Sequence, residues 1–209
     1  MLCKYESRRI EIVEEYDVVP IAHVKLLPSQ TKRSCTNRKL EDKYYCFSYV
    51  HKKDKNKNGT FLCGSHAATH FLKLLNHEGL PLFNPLSSEG TNSPRGEGGA
   101  GRERNIRNWH PVAQELSDAI NLLIIYWDVE KLQGPLGEIK KKVEAKYYRE
   151  PGYFSIKGIN TMIGGRGQKK NNLSKMLKEL RKDNPTLREY DFSGINAILK
   201  EKNEPSYFS

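Results

Sequence analysis

Residues 44–77 constrain the fold more than any other stretch, because hairpin, helix and metal-ligand patterns occur together within one short segment. Two runs rich in aromatic and apolar residues flank a lysine-rich polar turn. They predict the strands of a β-hairpin, 43–51 and 60–63. An apolar face at helical spacing follows, which predicts a helix over 66–77 with Ser65 as its N-cap.

Four candidate metal ligands converge if this hairpin closes over its polar tip. The expected pairing sets Cys46 opposite Cys63, at the end of the second strand. His66 and His70 then lie one turn apart on the same face of the following helix. Structural zinc sites take four cysteine or histidine ligands, so this spacing predicts a zinc site that braces the hairpin against the helix. The alternative is that the cysteines are small buried apolar residues and the histidines cap or pack.

The same segment resembles the HNH nuclease motif between His51 and His70, with Asn58 in the loop and a strand–strand–helix order. In that family a strand histidine activates water, and a helix histidine binds a divalent ion at the scissile phosphate. The resemblance implies His51 as the general base, with His66 or His70 holding Mg²⁺ or Zn²⁺. The two CxxC pairs that often brace such domains are absent. The alternative for His51 is a surface histidine at the end of the hairpin.

Positive charge indicates the class of partner, since the chain has a formal net charge of +10 and a pI near 9.3. Residues 32–57 hold nine lysines and arginines against three acids. Such clustering favours a polyanionic partner, most often nucleic acid, either DNA or RNA. The candidate phosphate contacts at the hairpin tip are Lys52, Lys53, Lys55 and Lys57. The alternative is a lysine-rich loop that is simply solvated.

A second basic surface is predicted in the glycine-rich stretch 157–170, which contains no acidic residue. Glycines let the backbone approach a phosphate closely, and arginine binds phosphate through two hydrogen bonds. The helix that follows adds a favourable dipole at its N-terminus. The candidate contacts are Lys157, Arg166, Lys169 and Lys170. The alternative is a flexible glycine loop.

The chain is predicted to divide at a flexible glycine-rich linker over 87–105. Residues 1–86 are then an α+β unit that contains the zinc-braced hairpin and helix, and residues 106–209 are a mainly helical region. The fold class expected for the whole chain is therefore α+β.

Other elements follow from local patterns of apolar and punctuating residues. Strands are expected over 8–13, 18–27 and 153–156, a loop over 29–42, and helices from Pro111 and over 136–148, 173–182 and 192–202. Pro20 marks its strand as an edge strand or a late-starting one. The helix from Pro111 has the most regular apolar spacing, which predicts that it is the main core helix.

The lack of a recognisable targeting signal and the small number of cysteines favour an intracellular protein. No apolar run approaches the ~20 residues that span a bilayer, and the N-terminus lacks the apolar core of a signal peptide. The chain is expected to be cytoplasmic, with no membrane partner. Four cysteines without a secretory signal do not suggest a disulfide scaffold. Cys3 and Cys35 have no obvious partners and are predicted to be free thiols.

Carboxylates in the helical region give no enzyme signature. Glu115 and Asp118 share the predicted core helix. Asp128 with Glu144 and Lys146 resembles the acidic-lysine pattern of restriction-type nucleases. That pattern belongs on adjacent strands, whereas these residues lie in helical sequence, so the sequence does not support it.

These features together predict a zinc-stabilised, basic nucleic-acid-binding protein that works as a component of a larger assembly. Two alternatives stay open. One is an HNH-like metal-dependent nuclease, for which Mg²⁺ is a further candidate cofactor. The other is a protein-interaction adaptor whose basic surface meets an acidic partner protein.

Overall fold

The computed structural model describes residues 1–86, 107–165 and 171–209 as a mixed α+β arrangement, with strands in the N-terminal half and helices dominating the rest. The elements follow in chain order as α1 Glu6–Glu15, β1 Tyr16–Lys25, β2 Lys32–Arg33, β3 Lys39–Leu40, β4 Lys43–His51, β5 Asn58–Cys63, α2 Ser65–Leu74, α3 Pro111–Tyr126, α4 Gly134–Ala145, α5 Tyr153–Gly164, α6 Leu173–Asp183 and α7 Ser193–Glu201. The predicted α+β class is confirmed. The predicted linker lies outside the described residues.

Three antiparallel strands form the main sheet in the order β1–β4–β5, so the predicted hairpin of β4 and β5 is present. β1 lies at the edge of the sheet. Proline has no backbone N–H to donate, and an edge strand tolerates this because one of its sides has no neighbouring strand. The register of β1 against β4 shifts between Pro20 and Ala22. β2 and β3 pair as a separate short hairpin inside the region predicted to be a loop.

The main sheet is buried on both faces, and each face contributes to a different hydrophobic core. Phe47, Phe61 and Cys63 face the smaller core, which α1 and α2 cover. Cys46 and Leu62 face the larger core, which includes most of the buried residues of the C-terminal helices. Because successive side chains of a strand alternate between faces, neighbours along β4 and β5 enter different cores.

Helix α3 is the centre of the larger core, as its apolar spacing predicts. It begins at Pro111, a residue that suits the first helical turn. Residues 119–125 are all buried, and α4, α6 and α7 pack around the helix. α4 also contacts β1, so the helices close over the sheet. A polar side chain on a helix this deeply buried lowers the stability of the fold unless it has a hydrogen-bond partner.

The predicted strand over 8–13 is wrong, because these residues form part of α1. A strand would place Ile10 and Ile12 on one face, since side chains two residues apart point the same way. In the structure Ile12 is buried whereas Ile10 is 42% exposed. The helical period separates the two side chains and turns only Ile12 into the smaller core.

The predicted strand over 153–156 is also wrong, because these residues open helix α5. Ile156, Ile159 and Ile163 are buried and recur at i, i+3 and i+7, which is the spacing of one helical face. Glycines within and after the segment make this helical spacing hard to recognise in the sequence. Short apolar runs fit either a strand or a helix.

The remaining predicted helices are present with small shifts at their ends. The predicted ranges 66–77, 136–148, 173–182 and 192–202 correspond to α2, α4, α6 and α7. Gly64, rather than Ser65, is the N-cap of α2. No helix within the described residues is long and apolar enough to cross a bilayer.

Candidate functional site

The register of the β4–β5 hairpin separates the predicted zinc ligands. Cys63 pairs with Tyr45, and Cys46 pairs with Leu62, so the two cysteines are offset by one residue. Because side chains alternate between the faces of a sheet, this offset turns Cys46 into the larger core and Cys63 into the smaller one. The prediction that Cys46 lies opposite Cys63 is wrong. The structure does not bring Cys46 together with the other three predicted ligands.

The other predicted ligands lie on the side of the smaller core. His66 is exposed in the first turn of α2, and His70 is half-buried. Cys63 Sγ lies 3.3 Å from Cys35 Sγ, and Cys35 is within disulfide-bonding distance of Cys3. The prediction that Cys3 and Cys35 are free thiols is therefore wrong. Cys63 therefore lies beside Cys3 and Cys35, the two cysteines for which the sequence shows no obvious partner.

His51 lies at the hairpin tip and closes the turn. Its Nδ1 atom accepts hydrogen bonds from the backbone N–H groups of Lys53 and Asp54, at 3.1 and 3.0 Å. Its ring meets Tyr16 edge-on, with the ring centroids 5.0 Å apart. These contacts fit a histidine that ends a hairpin. Within the described residues, His51 shares no close group of metal-binding atoms with the histidines of α2.

The lysines of the hairpin tip are exposed, and most of them have partners. Lys52 Nζ donates a hydrogen bond to a backbone carbonyl of α1 at 2.9 Å. Lys55 and Lys57 lie 3.5 and 3.8 Å from aspartates, and Lys53 has no ion pair within the described residues. Exposed ion pairs contribute little free energy, so these lysines can exchange their partners for phosphates.

The second predicted basic surface is described only at Lys157. Its ammonium group forms an ion pair with Glu204, which joins α5 to the C-terminal segment. Arg166, Lys169 and Lys170 lie outside the described residues. The charge of Lys157 therefore has a partner within the fold.

A cleft of about 850 Å³ opens between the sheet and the helical half of the molecule. A volume of this size is typical of small-molecule sites. β1, the segment that follows α2, helices α3 and α4, and the segment between α6 and α7 all contribute to its lining. One wall is apolar and aromatic, and it consists of Leu80, Pro81, Leu82, Phe83 and Trp109.

Another part of the lining is a polar stripe on α3. It consists of Gln114, Ser117, Asp118 and Asn121. These residues recur at i, i+3, i+4 and i+7 and therefore share one face of the helix. Ser117 and Asn121 are only 3% and 5% exposed. The most apolar helix of the protein thus turns a buried polar face toward the cleft.

A buried ionic network joins this stripe to α4. Lys140 is 1% exposed, and its Nζ lies 2.9 Å from Glu144 Oε1 and donates to Ser117 Oγ at 2.8 Å. Arg107 Nη1 reaches the second oxygen of Glu144 at 3.4 Å. Ser117 also donates to Glu144, so each member of the network has a partner. Each charged member of the network therefore has a partner within the fold, as buried charges require.

Asp118 is the titratable group of the stripe. Burial raises the pKa of Asp118 from 3.8 to about 6, and the negative charge of Glu144 acts in the same direction. The hydrogen bond that Gln114 Nε2 donates at 2.9 Å and the positive charge of Lys140 oppose this increase. A carboxyl that titrates near neutral pH can both accept and donate a proton during a reaction.

Two polar atoms in the lining of the cleft have no hydrogen-bond partner among the described residues. They are Asn121 Oδ1 and the Tyr190 hydroxyl. Leaving such an atom buried and unpaired costs roughly 1–3 kcal/mol of stability.

His23 lines the cleft from β1 with a defined ring orientation. Its Nδ1 lies 3.0 Å from the Leu80 carbonyl oxygen, which assigns the ring proton to Nδ1. The ring stacks on Tyr45, with centroids 3.9 Å apart. Burial lowers the pKa of His23, which favours the neutral ring, whose Nε2 is an acceptor.

Sequence interpretation misses this cleft, although one signal for it is visible. The polar stripe interrupts the most apolar helix at helical spacing, but the prediction that this is the main core helix rests on its apolar positions. Asp118 and Glu144 enter only as candidate carboxylates without a signature. Arg107, His23 and Tyr190 come from distant segments, so their convergence depends on the tertiary structure.

The fold and the site define an α+β protein with a polar, ligand-sized cleft between its sheet and its helices. A family model described as uncharacterised conserved protein UCP028583 matches residues 3–208. The chain belongs to that family. No curated protein and no solved structure matches it.

Proposed function

We propose that the protein is an enzyme that binds a small polar molecule in the cleft and uses Asp118 as a general acid–base. The observation that carries this proposal is a carboxyl with a pKa of about 6 in a ligand-sized cleft, on the same helix face as the unpaired Asn121 oxygen. Strongly perturbed carboxyls in clefts are concentrated at catalytic sites. Two cations, Lys140 and Arg107, share the single carboxylate of Glu144, so ionised Asp118 lies beside an excess of positive charge.

The unpaired atoms of the cleft indicate the chemistry of the ligand. Asn121 Oδ1 is an acceptor without a donor, and the Asp118 carboxylate has acceptor sites beyond its bond from Gln114. Both atoms need donors, which hydroxyl or amino groups supply. The wall that contains Phe83 and Trp109 accommodates an apolar face or a ring. The ligand class is therefore a small polyhydroxy or amino compound with one apolar face.

The same geometry gives catalytic roles to Asp118 and Arg107. The ligand donates a hydrogen bond to ionised Asp118, which accepts the proton and returns it later in the cycle. Arg107 is held in place by Glu144 and by the Gly79 carbonyl oxygen, to which it donates at 3.0 Å. From the wall of the cleft its guanidinium stabilises negative charge that develops on the ligand.

Binding to the cleft can be measured through Trp109, because the chain has two tryptophans and the other, Trp127, lies outside the cleft. In a Trp127→Phe background, a library of sugars, nucleosides and amino alcohols should include compounds that change the fluorescence saturably. Asn121→Ala should weaken their binding about tenfold, which corresponds to the loss of one buried hydrogen bond. Asn56→Ala, at the exposed hairpin tip, is the matched control.

Turnover of each bound compound is followed by NMR of the compound itself. Asp118→Asn should leave binding within a few-fold of the parent and abolish turnover. The absence of any saturable compound, or binding that Asn121→Ala leaves unchanged, contradicts the proposed site. Turnover that persists in Asp118→Asn contradicts the proposed role of the carboxyl.

Nucleic-acid binding is a second proposed function, supported by the four exposed lysines of the hairpin tip in a chain of net charge +10. Affinity for DNA or RNA oligonucleotides should fall steeply between 50 and 200 mM salt. Lys53→Glu combined with Lys57→Glu should weaken binding. Lys182→Glu combined with Lys200→Glu, which changes two exposed lysines of the helical half, is the matched control.

Equal loss in both double variants would show that only the net charge matters and would contradict a site at the tip. Failure to bind any oligonucleotide, with salt-sensitive binding to an acidic protein, would favour the adaptor alternative. The nuclease alternative predicts Mg²⁺-dependent cleavage of the same oligonucleotides that is lost in His51→Ala.

A further inference from the structure

We propose that Cys3, Cys35 and Cys63 bind one zinc ion as three thiolate ligands. Their sulfur atoms lie within 4.8 Å of one another, and all three residues are buried in the smaller core. Thiolates are soft ligands that select zinc among the abundant divalent metals. This ligand set shares only Cys63 with the set that the sequence predicts.

Three separate segments of backbone deliver these sulfurs. The Cys3 N–H donates to the Cys35 carbonyl at 2.9 Å, and the Cys35 N–H donates to the Leu62 carbonyl at 2.7 Å. Cys35 lies in the turn between β2 and β3, which the left-handed conformation of Asn37 closes. Cys63 is the last residue of β5, so the short hairpin, the long hairpin and the N-terminus all meet at the cluster.

Charge near the cluster favours an anionic metal complex. Arg9 is 2% exposed, and its Nε has no hydrogen-bond partner among the described residues. Arg9 lines a cavity together with Gly64, the residue that directly follows Cys63. One Zn²⁺ and three thiolates carry a net charge of −1, and this buried guanidinium, which also lies 3.7 Å from exposed Glu6, is a cation on the same side of the sheet.

The N-terminus of α2 points to the same place, because Gly64, its N-cap, directly follows Cys63. A helix N-terminus stabilises thiolates through its dipole. His66 follows in the first turn of α2 and lines a neighbouring cavity of about 530 Å³ together with Arg9 and Gly64. Three protein ligands leave the fourth tetrahedral position of zinc for water or another ligand.

The disulfide and the metal site are two chemical states of one cluster. A thiol reductant transfers two electrons and two protons to the Cys3–Cys35 disulfide, which yields two thiols and an oxidised reductant. Zn²⁺ then displaces the protons of Cys3, Cys35 and Cys63, so three protons are released for each ion bound. Reducing compartments disfavour disulfides, so the metal-bound state belongs to those conditions.

Metal analysis of the full-length protein, purified with a thiol reductant and dialysed against zinc, tests the proposal. One zinc per chain is expected, and zinc-edge X-ray absorption should show three sulfur ligands at about 2.3 Å. Cys3→Ser, Cys35→Ser and Cys63→Ser should each weaken zinc binding at least a hundredfold. Cys46→Ser is the matched control, because Cys46 is an equally buried thiol on the other face of the sheet.

Zinc absent from the reduced wild-type protein would overturn the proposal, as would zinc with one sulfur ligand or none. Loss of zinc in Cys46→Ser, with zinc kept in Cys3→Ser, would overturn it in favour of the ligand set predicted from the sequence, which is Cys46, Cys63, His66 and His70. The absorption spectrum of the wild-type protein decides the ligand count even where a cysteine variant fails to fold.

Discussion

Asp118 projects from a core helix, with its carboxyl largely removed from water and its pKa raised to about 6. The pKa of the folded state is above the ordinary value of 3.8, so the folded protein holds this proton more tightly than the unfolded chain does. The ionisation of Asp118 therefore lowers the stability of the fold as pH rises from about 4 to about 6, and the loss is complete above that range.

Asp118→Asn removes this loss while keeping the size and the hydrogen-bonding shape of the side chain. The free energy of unfolding should rise by about 3 kcal/mol at pH 7 and change little at pH 3.5. Urea unfolding at the two pH values measures the difference. A variant that is less stable than wild type at pH 7 would show that the ionised carboxylate is well satisfied in the fold.

Lys140 is the residue whose loss should damage the buried network most. Lys140→Met leaves Glu144 buried with Arg107 as its remaining cation, so the free energy of unfolding should fall by about 3 kcal/mol. Lys142→Met, on the exposed face of the same helix, should change it by less than about 0.5 kcal/mol. Combining Lys140→Met with Glu144→Leu should not recover this loss, because Arg107 then loses its carboxylate partner. Thermal and urea unfolding of the variants provide the comparison.

At the scale of elements, α7 receives part of its N-terminal capping from another helix. Phe192, its N-cap residue, makes no side-chain cap. The two oxygens of Glu115 on α3 accept hydrogen bonds from the backbone N–H groups of Gly194 and Ile195, at 3.1 and 2.9 Å. Glu115, a candidate catalytic carboxylate in the sequence, thus has a structural role that joins two helices.

Glu115→Gln should lower the free energy of unfolding by about 1 kcal/mol, because a neutral amide has one acceptor oxygen for two N–H groups and does not complement the helix dipole. Amide hydrogen exchange should accelerate at Gly194 and Ile195 and stay unchanged in α5. Glu138→Gln, on the exposed side of α4, is the control. Unchanged exchange at both amides would contradict the capping role.

Periodicity predicted the elements where it was long or strongly punctuated, as in α3 and the β4–β5 hairpin. It did not predict the register of that hairpin. The prediction centred the turn between Asp54 and Lys55, whereas the Tyr45–Cys63 pair centres it on Asp54. This difference of half a residue in the centre of the turn shifts the pairing partner of each β5 residue by one position along β4. Register depends on turn geometry and on both cores, which cysteine spacing does not reveal.

At the scale of the whole molecule, the sheet separates two sites of different character. The cysteine cluster and Arg9 lie on the side of the smaller core, among α1, α2 and the short hairpin. The cleft lies where the edge of the sheet meets the helical half. Its residues come from positions as distant as His23 and Tyr190, so the local patterns that predict helices and strands carry no information about their convergence.

The pKa of Asp118 in the folded protein is the measurement that tests the proposed catalytic cleft most directly. Carbon-13 NMR of protein labelled at its aspartate carboxyls follows each titration, and the signal missing from Asp118→Asn assigns the residue. A midpoint near pH 6 is expected for Asp118. A midpoint near pH 4 would show a carboxylate with an ordinary pKa, and it would contradict the proposal that this cleft holds a general acid–base.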